Sequence, residues 1–153
     1  MKTILAALDF SDVTDRVVEV ASSLARAYGA TLYLLHIEPP EPDFVGYEPG
    51  PQHVREMVAA EAICHFKEEH TLRDRLRGEG IDVQSLVIQG PAAEKILDEA
   101  ERLNVDIVVV GTHGHGAVYH LLLGSVGEGV VKHATCPVLV VPLRSDTAER
   151  TPG

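Results

Sequence analysis

The stretch DIVVVGTHGHGAVYHLLLGS, residues 106–125, joins an uninterrupted apolar run to a segment that places four glycines and a serine within fifteen positions. Ile107, Val108, Val109 and Val110 are too few for a helix and show no alternation, which is how a strand covered on both faces reads. Glycine then lets the chain turn sharply, and SVGEGVVKHA (125–134) opens a short helix. Strand, glycine-rich connection and helix make one unit of a parallel α/β architecture. The rest of the chain repeats that alternation.

TILAAL (3–8) is a second apolar run, closed by Asp9. From Val13, apolar residues recur at Val17, Val20, Ala21, Leu24 and Ala25, a helix face that stops at Gly29, where a left-handed cap costs little. TLYLLHI (31–37) reads as the next strand. It is followed by EPPEPDFVGYEPGP, whose five prolines between Pro39 and Pro51 exclude a helix or a central strand. Residues 52–77 carry Val54, Met57, Val58, Ile63, Phe66, Leu72 and Leu76 among many charges and predict a looser amphipathic helix. DVQSLVI (82–88) alternates, as a sheet edge does. Pro91 suits a first helical turn, with Ile96, Leu97, Ala100 and Leu103 as its buried stripe. CPVLVVP (136–142) is the last strand, and DIVVV, the most apolar, is expected to be central. Five strands alternating with four helices predict a parallel sheet with helices on both faces, in one domain over 1–143 with a flexible tail at 144–153. Ligands of such sheets bind beyond the carboxyl ends of the strands, where strand order reverses. The residues to inspect are therefore Asp9 to Asp12, Ile37 to Pro40, and Gly111 onward.

The chain has 153 residues, 45% hydrophobic and 24% charged, enough for one continuous core. A formal charge of −10 repels nucleic acid and anionic membrane surfaces. No apolar run approaches a membrane span, and MKTILAALDFSD lacks a cleavage pattern, so a cytoplasmic protein without membrane insertion is expected. Cys64 and Cys136 form no CxxC pair and read as ordinary thiols of a reducing compartment.

Closely approaching backbone amides and a helix N-terminus together favour phosphate. The loop is not a P-loop, since Gly124-x4-Gly129 is followed by Val130 and Val131 where Lys and Ser or Thr would stand, and no GxGxxG follows the first strand. It reads Gly111-x2-Gly114-x9-Gly124-Ser125, and here the sequence resembles the universal stress protein family, whose ATP-binding members carry G-x2-G-x9-G-[S/T]. ILAALDFSD resembles that family's first strand with its Asp, LYLLHI its second, and CPVLVV its last. The resemblance implies a Rossmann-like sheet of order 3-2-1-4-5, as in adenine nucleotide alpha hydrolases, and an adenine nucleotide as ligand: ATP, or AMP or ADP, with Mg²⁺ as a possible companion of the phosphates. It puts Asp9 beside the ribose and adenine and the Ile37 main chain at the adenine edge. Gly111, His113, Gly114, Gly124, Ser125, Val126 and Gly127 would surround the phosphates, with Ala7, Leu8 and Val110 as lining. It also implies a homodimer through the last strand, Pro137 to Pro142. A flat apolar edge there agrees, because exposed edges invite pairing. The protein partner, if one exists, is left unnamed by the sequence.

Each of these residues also has a plainer reading. Asp9 is equally suited to cap the first helix or to hold an Asx-turn with Ser11 and Asp12. Ser125 and Glu128 stand in the S-x-x-E order of a capping box. His113, His115 and His120 crowd one loop, but His65 and His70 are five apart, about 140° around a helix, and no metal site is expected. His36, within a strand, reads as a core histidine. With no paired carboxylates, no nucleophile elbow, and Lys132 nearly two turns into its helix, no catalytic residue is expected. The function predicted is a nucleotide-responsive regulatory stress-response module; the alternative is a slow ATP-dependent hydrolase or transferase using the same loop.

Overall fold

Side-chain alternation along the strands sorts the core into two layers, one on each side of a single sheet. The computed structural model describes residues 1–40, 52–112 and 123–143. In chain order these form β1 (Thr3–Leu8), α1 (Thr14–Tyr28), β2 (Thr31–Glu38), α2 (Gln52–Gly78), β3 (Val83–Gln89), α3 (Ala92–Arg102), β4 (Ile107–Gly111), α4 (Ser125–His133) and β5 (Val138–Val141). All neighbouring strands pair in parallel, in the order β3-β2-β1-β4-β5. The fold class and strand order are those expected from the sequence. The tail 144–153, His113, Gly114, His115 and His120 lie outside the described residues, as does most of the proline-rich segment.

Ile4, Ala6 and Leu8 of β1 point with Leu32, Leu34, Val83 and Val109 toward α1 and toward Leu76 of α2. Leu5, Leu35, Val108 and Val110 point the other way, toward Ile96 and Ala100 of α3 and Val130 of α4. Each Val, Leu or Ile among them, fully buried, contributes about 1.5–3 kcal/mol. The middle strand is β1 rather than β4: β4 is flanked by β1 and β5, so the most apolar run lies one place from the edge. Its Asp106 stitches the sheet together at the opposite end, accepting the Lys2 and Thr3 amides at 2.5 and 2.9 Å. Those donors hold its carboxyl below the usual carboxylate range.

Helix α1 ends as its sequence predicts, at Gly29 in the left-handed region (φ 59°). Helix α2 departs from prediction. Its expected stripe is largely solvent-exposed at Met57, Val58, Ile63 and Phe66, and only Leu76 and Glu69 are buried. The reason lies in its length: 27 residues outrun the sheet, so only the C-terminal half, with Leu72 and Leu76, packs on the core.

Two packing constraints have measurable consequences. A Cβ on Gly111 would lie 2.4 Å from Cγ1 of Val13 and 3.1 Å from Cγ2 of Val17. β4 and α1 touch there with no room for a side chain. Gly111→Ala is expected to lower unfolding free energy by about 1–3 kcal/mol in chemical denaturation, the usual cost of overpacking. Gly78→Ala, where a Cβ meets open space, carries no such penalty.

Glu69 is wholly buried, and neither carboxyl oxygen has a hydrogen-bond partner among the described residues. Burial pushes its pKa up from 4.5 to about 7, against the opposing pull of the Leu86 backbone amide and of Arg73, and Glu38 adds to the rise. The unfolded chain therefore loses this proton at lower pH than the folded one, and stability contributed by Glu69 falls as pH rises from about 4.5 through 7. Glu69→Gln, neutral throughout, is expected to match the parent near pH 4.5 and exceed it at pH 8 by up to about 3 kcal/mol. An unchanged difference between those pH values would refute the assignment.

Candidate functional site

In the order 3-2-1-4-5, β1 leads to one side of the sheet and β4 to the other, so their carboxyl ends diverge into a crevice. The cleft found there is lined by Ala7, Leu8, Asp9, Ile37, Val110, Gly111, Val126 and Gly127 of the sequence-predicted set. Val13, Thr14, Val17, Leu35, Ala92 and Ile96 complete its wall. These last residues were not anticipated. Val13 and Thr14 could have been, since they immediately follow the turn after Asp9; Ala92 and Ile96 enter only through the packing of α3 across the sheet.

The floor of the cleft is the β1–α1 turn. Asp9 Oδ1 accepts hydrogen bonds from the Ser11 amide (3.0 Å), the Ser11 hydroxyl (2.6 Å) and the Thr14 hydroxyl (3.3 Å). That is the Asx-turn of the plainer reading. Asp9 caps no helix, because the N-cap of α1 is Val13. The turn forces Phe10 into the left-handed region (φ 55°), uncommon for a side-chain-bearing residue and tolerated where surroundings over-determine it.

The opposite wall is the start of α4. Here the capping box is overturned. Gly124 is the N-cap and has no side chain with which to cap, and Ser125 is already helical. Glu128, one position too far along to reach back, instead accepts from Lys132 Nζ at 2.5 Å, which holds its carboxyl below the ordinary range. A glycine at the N-cap satisfies none of the first-turn donors. The amides of Ser125, Val126 and Gly127 have no acceptor in the helix by its geometry, and they carry the positive end of its dipole. The first described backbone bond of α4 runs from the Glu128 amide to the Gly124 carbonyl at 2.9 Å. Gly127 and Gly129 have packing reasons of their own: a Cβ would come within 3.0 Å of Leu123 and of Ala93, respectively.

A second constellation was not foreseen. His36 and Glu38, two apart at the end of β2, point to the α1/α2 side and meet His65 of α2. His36 is a core histidine, as read, and hydrogen-bonded to Leu8, but its other nitrogen faces Glu38 Oε1 at 3.1 Å. The H-x-E spacing on a strand end was the available signal. His65 could not be joined to it from sequence, because it lies on another element.

The sequence model of the universal stress protein family matches residues 1–142. The chain belongs to that family. A universal stress protein of Thermus aquaticus, encoded 3′ of the QAH/OAS sulfhydrylase region, is 38% identical over 146 residues, covering 92% of this chain and 98% of its own. Among solved structures, the universal stress protein UspA of Lactobacillus plantarum shares the fold at a TM-score of 0.75 and 23% identity, with 92% of this chain and 97% of that one covered. The Archaeoglobus fulgidus universal stress protein solved in complex with dAMP does so at a TM-score of 0.62 and 22% identity, covering 92% and 97%. Among the described residues of this universal stress protein, no helix is long and apolar enough to cross a membrane.

The Asp9 turn has a test that needs no ligand. Asp9→Ala removes the acceptor of three hydrogen bonds, and the nucleotide-free variant is expected to lose about 1–2 kcal/mol in urea denaturation. Parent-like stability would show that the turn holds without it.

Proposed function

We propose that this universal stress protein is a regulatory module that binds an adenine nucleotide, ATP or its products ADP and AMP, in the cleft between β1 and β4. The observation that carries the reading is the pairing, across one crevice, of an acceptor-rich end with a donor-rich end. The Asp9 carboxylate stands at one wall, suited to accept from ribose hydroxyls, and Val126 and Gly127 stand at the other, where the first-turn amides of α4, with that of Ser125 just before them, are suited to donate to phosphate. The apolar lining from Ala7, Ile37 and Val110 suits a purine face. The family membership and the dAMP complex of the A. fulgidus relative support the choice of ligand. His113 and Gly114 belong to the proposed phosphate site by the family motif. Mg²⁺ would accompany the phosphates, with Asp12 in the β1–α1 turn as the available carboxylate, since Glu128 is engaged by Lys132.

The same ion pair favours binding over turnover. Lys132 is the cation of α4 nearest the loop in sequence, and its ammonium is spent on Glu128 rather than offered to a transferring phosphoryl group. We place the protein in the cytoplasm, as one domain over 1–143. The exposed side of β5 is its homodimer edge, since this strand ends the sheet and leaves Val138, Leu139 and Val140 only half buried.

Saturating ATP at about a hundred times its Kd is expected to stabilise the protein by about 2.7 kcal/mol, a rise of a few degrees in Tm, and Gly124→Asp is expected to abolish that rise. Mass spectrometry of the denatured protein is expected to find an adenine nucleotide carried through purification. Parent-like stabilisation of the Asp variant would reject the phosphate placement. Turnover above about 1 per second with Mg²⁺ would reverse the choice between regulator and enzyme.

A further inference from the structure

The carboxyl end of β2 serves the nucleotide cleft with Ile37 and turns its neighbours, His36 and Glu38, to the opposite face of the sheet. There His36, 4% exposed, has a fixed proton arrangement. Its Nδ1 lies 2.9 Å from the Leu8 carbonyl oxygen, and a carbonyl only accepts, so Nδ1 carries the hydrogen. In the neutral ring Nε2 is then a bare lone pair, and what faces it at 3.1 Å is Glu38 Oε1, another acceptor. The same Oε1 lies 3.5 Å from Nδ1 of His65, which is buried and has no hydrogen-bond partner among the described residues. Three ligand atoms thus converge, all within 4.8 Å of one another. With His65 in the tautomer that leaves Nδ1 bare, all three are acceptors, which repel unless a cation lies between them. A proton between His36 and Glu38 satisfies one pair of atoms and leaves His65 Nδ1 unserved; a metal ion satisfies all three.

We propose that His36, Glu38 and His65 form a binding site for a divalent transition-metal ion of the zinc class, with one coordination position left open. Two imidazoles and one carboxylate are the donor set of open zinc sites, whereas Mg²⁺ and Ca²⁺ take oxygen ligands. Bond lengths near 2.0–2.1 Å imply about 3.4 Å between donor atoms in a tetrahedron. Two of the three edges, 3.1 and 3.5 Å, lie near that value, and the third is within 4.8 Å. The orienting contacts of a metal site are also present. The Leu8 carbonyl fixes the His36 tautomer, as second partners of ligating histidines do. Phe10 stacks on His65 and meets His36 edge-on, both with ring centroids 4.8 Å apart, so both imidazoles are held in place before a metal arrives. Glu69, one turn along α2 from His65, is buried without a hydrogen bond and close enough to feel the charge of Glu38; a cation in the cluster would give both carboxylates a counter-charge. None of the three ligands, His36, Glu38 and His65, lines the cleft at the β1–β4 switch point, so the proposal stands apart from the nucleotide reading.

The test uses the full chain, free of any histidine tag and stripped with chelator, titrated with Zn²⁺ by calorimetry and then with Co²⁺ as a spectroscopic probe of coordination. One equivalent of Zn²⁺ is expected to bind and raise Tm, and Co²⁺ is expected to show the intense visible bands of a four-coordinate site. His65→Ala and Glu38→Gln are expected to weaken binding by more than about a hundredfold, since even outer partners of metal ligands matter ten- to a hundredfold. His70→Ala, on the same helix but bonded to Arg73, is expected to bind as the parent does. The His65 and Glu38 variants are compared in chelator by circular dichroism and Tm, which separates loss of a ligand from loss of the fold; should either be unfolded, the other carries the test. Absence of saturable Zn²⁺ and Co²⁺ binding overturns the proposal. So does binding that survives unchanged in both folded variants, or that His70→Ala abolishes as well.

Discussion

The contact between Gly111 and Val13 is the constraint on which the rest of the site depends. Because β4 ends in a residue without a side chain, α1 settles directly against the sheet there, and Val13 and Val17 fill the place a Cβ would take. That depth fixes where α1 begins. The chain from β1 must then turn within a few residues, and Asp9 holds the turn by gathering Ser11 and Thr14 onto one carboxylate oxygen. Phe10 is left in a conformation it would not choose alone, with its ring packed against two imidazoles that also meet each other. A single close approach thus propagates from packing, through backbone geometry, to the position of an acidic group and an aromatic ring.

Much of this was legible in the sequence. Apolar runs without alternation, as at TILAAL and DIVVV, specify strands buried on both faces, and turn residues between them specify the crossovers; hence the parallel sheet could be expected, while its strand order followed from the family resemblance. What was misread turned on distances that sequence spacing does not encode. DIVVV is the most apolar run yet lies beside the edge, because apolarity measures coverage by helices and β4 is covered on both faces wherever it sits. Gly111 reads as a ligand-facing glycine, while its first duty is to admit α1. The S-x-x-E pattern failed by one residue, since the helix starts at Ser125 and not after it. His36, Glu38 and His65 were invisible as a group because two come from a strand and one from a helix 27 positions further on.

The sheet's two-residue period also organises the chemistry. At the end of β2, Ile37 goes to one layer while the residues on either side of it go to the other, so one short strand segment supplies an apolar wall to the cleft and polar ligands to the opposite face. The two regions are electrostatically unlike. The α4 end of the cleft presents backbone donors and a positive dipole end; the His36 face presents lone pairs and carboxylates that call for positive charge. A strongly acidic chain can hold both because each is defined locally, by which groups lack partners, rather than by the net charge.

Leu8 and His36 are register partners at the last rung shared by β1 and β2, and the imidazole there takes up a main-chain carbonyl just where the two strands part. The ring acts as a wedge with a hydrogen bond on one side: it lets the strands separate while leaving no orphaned oxygen in the split. Replacement by an apolar residue of similar size would leave that oxygen buried and unanswered, and the strands would tend to close up or let in water. The residue at position 36 is therefore constrained by the opening of the sheet itself, quite apart from what its other nitrogen faces.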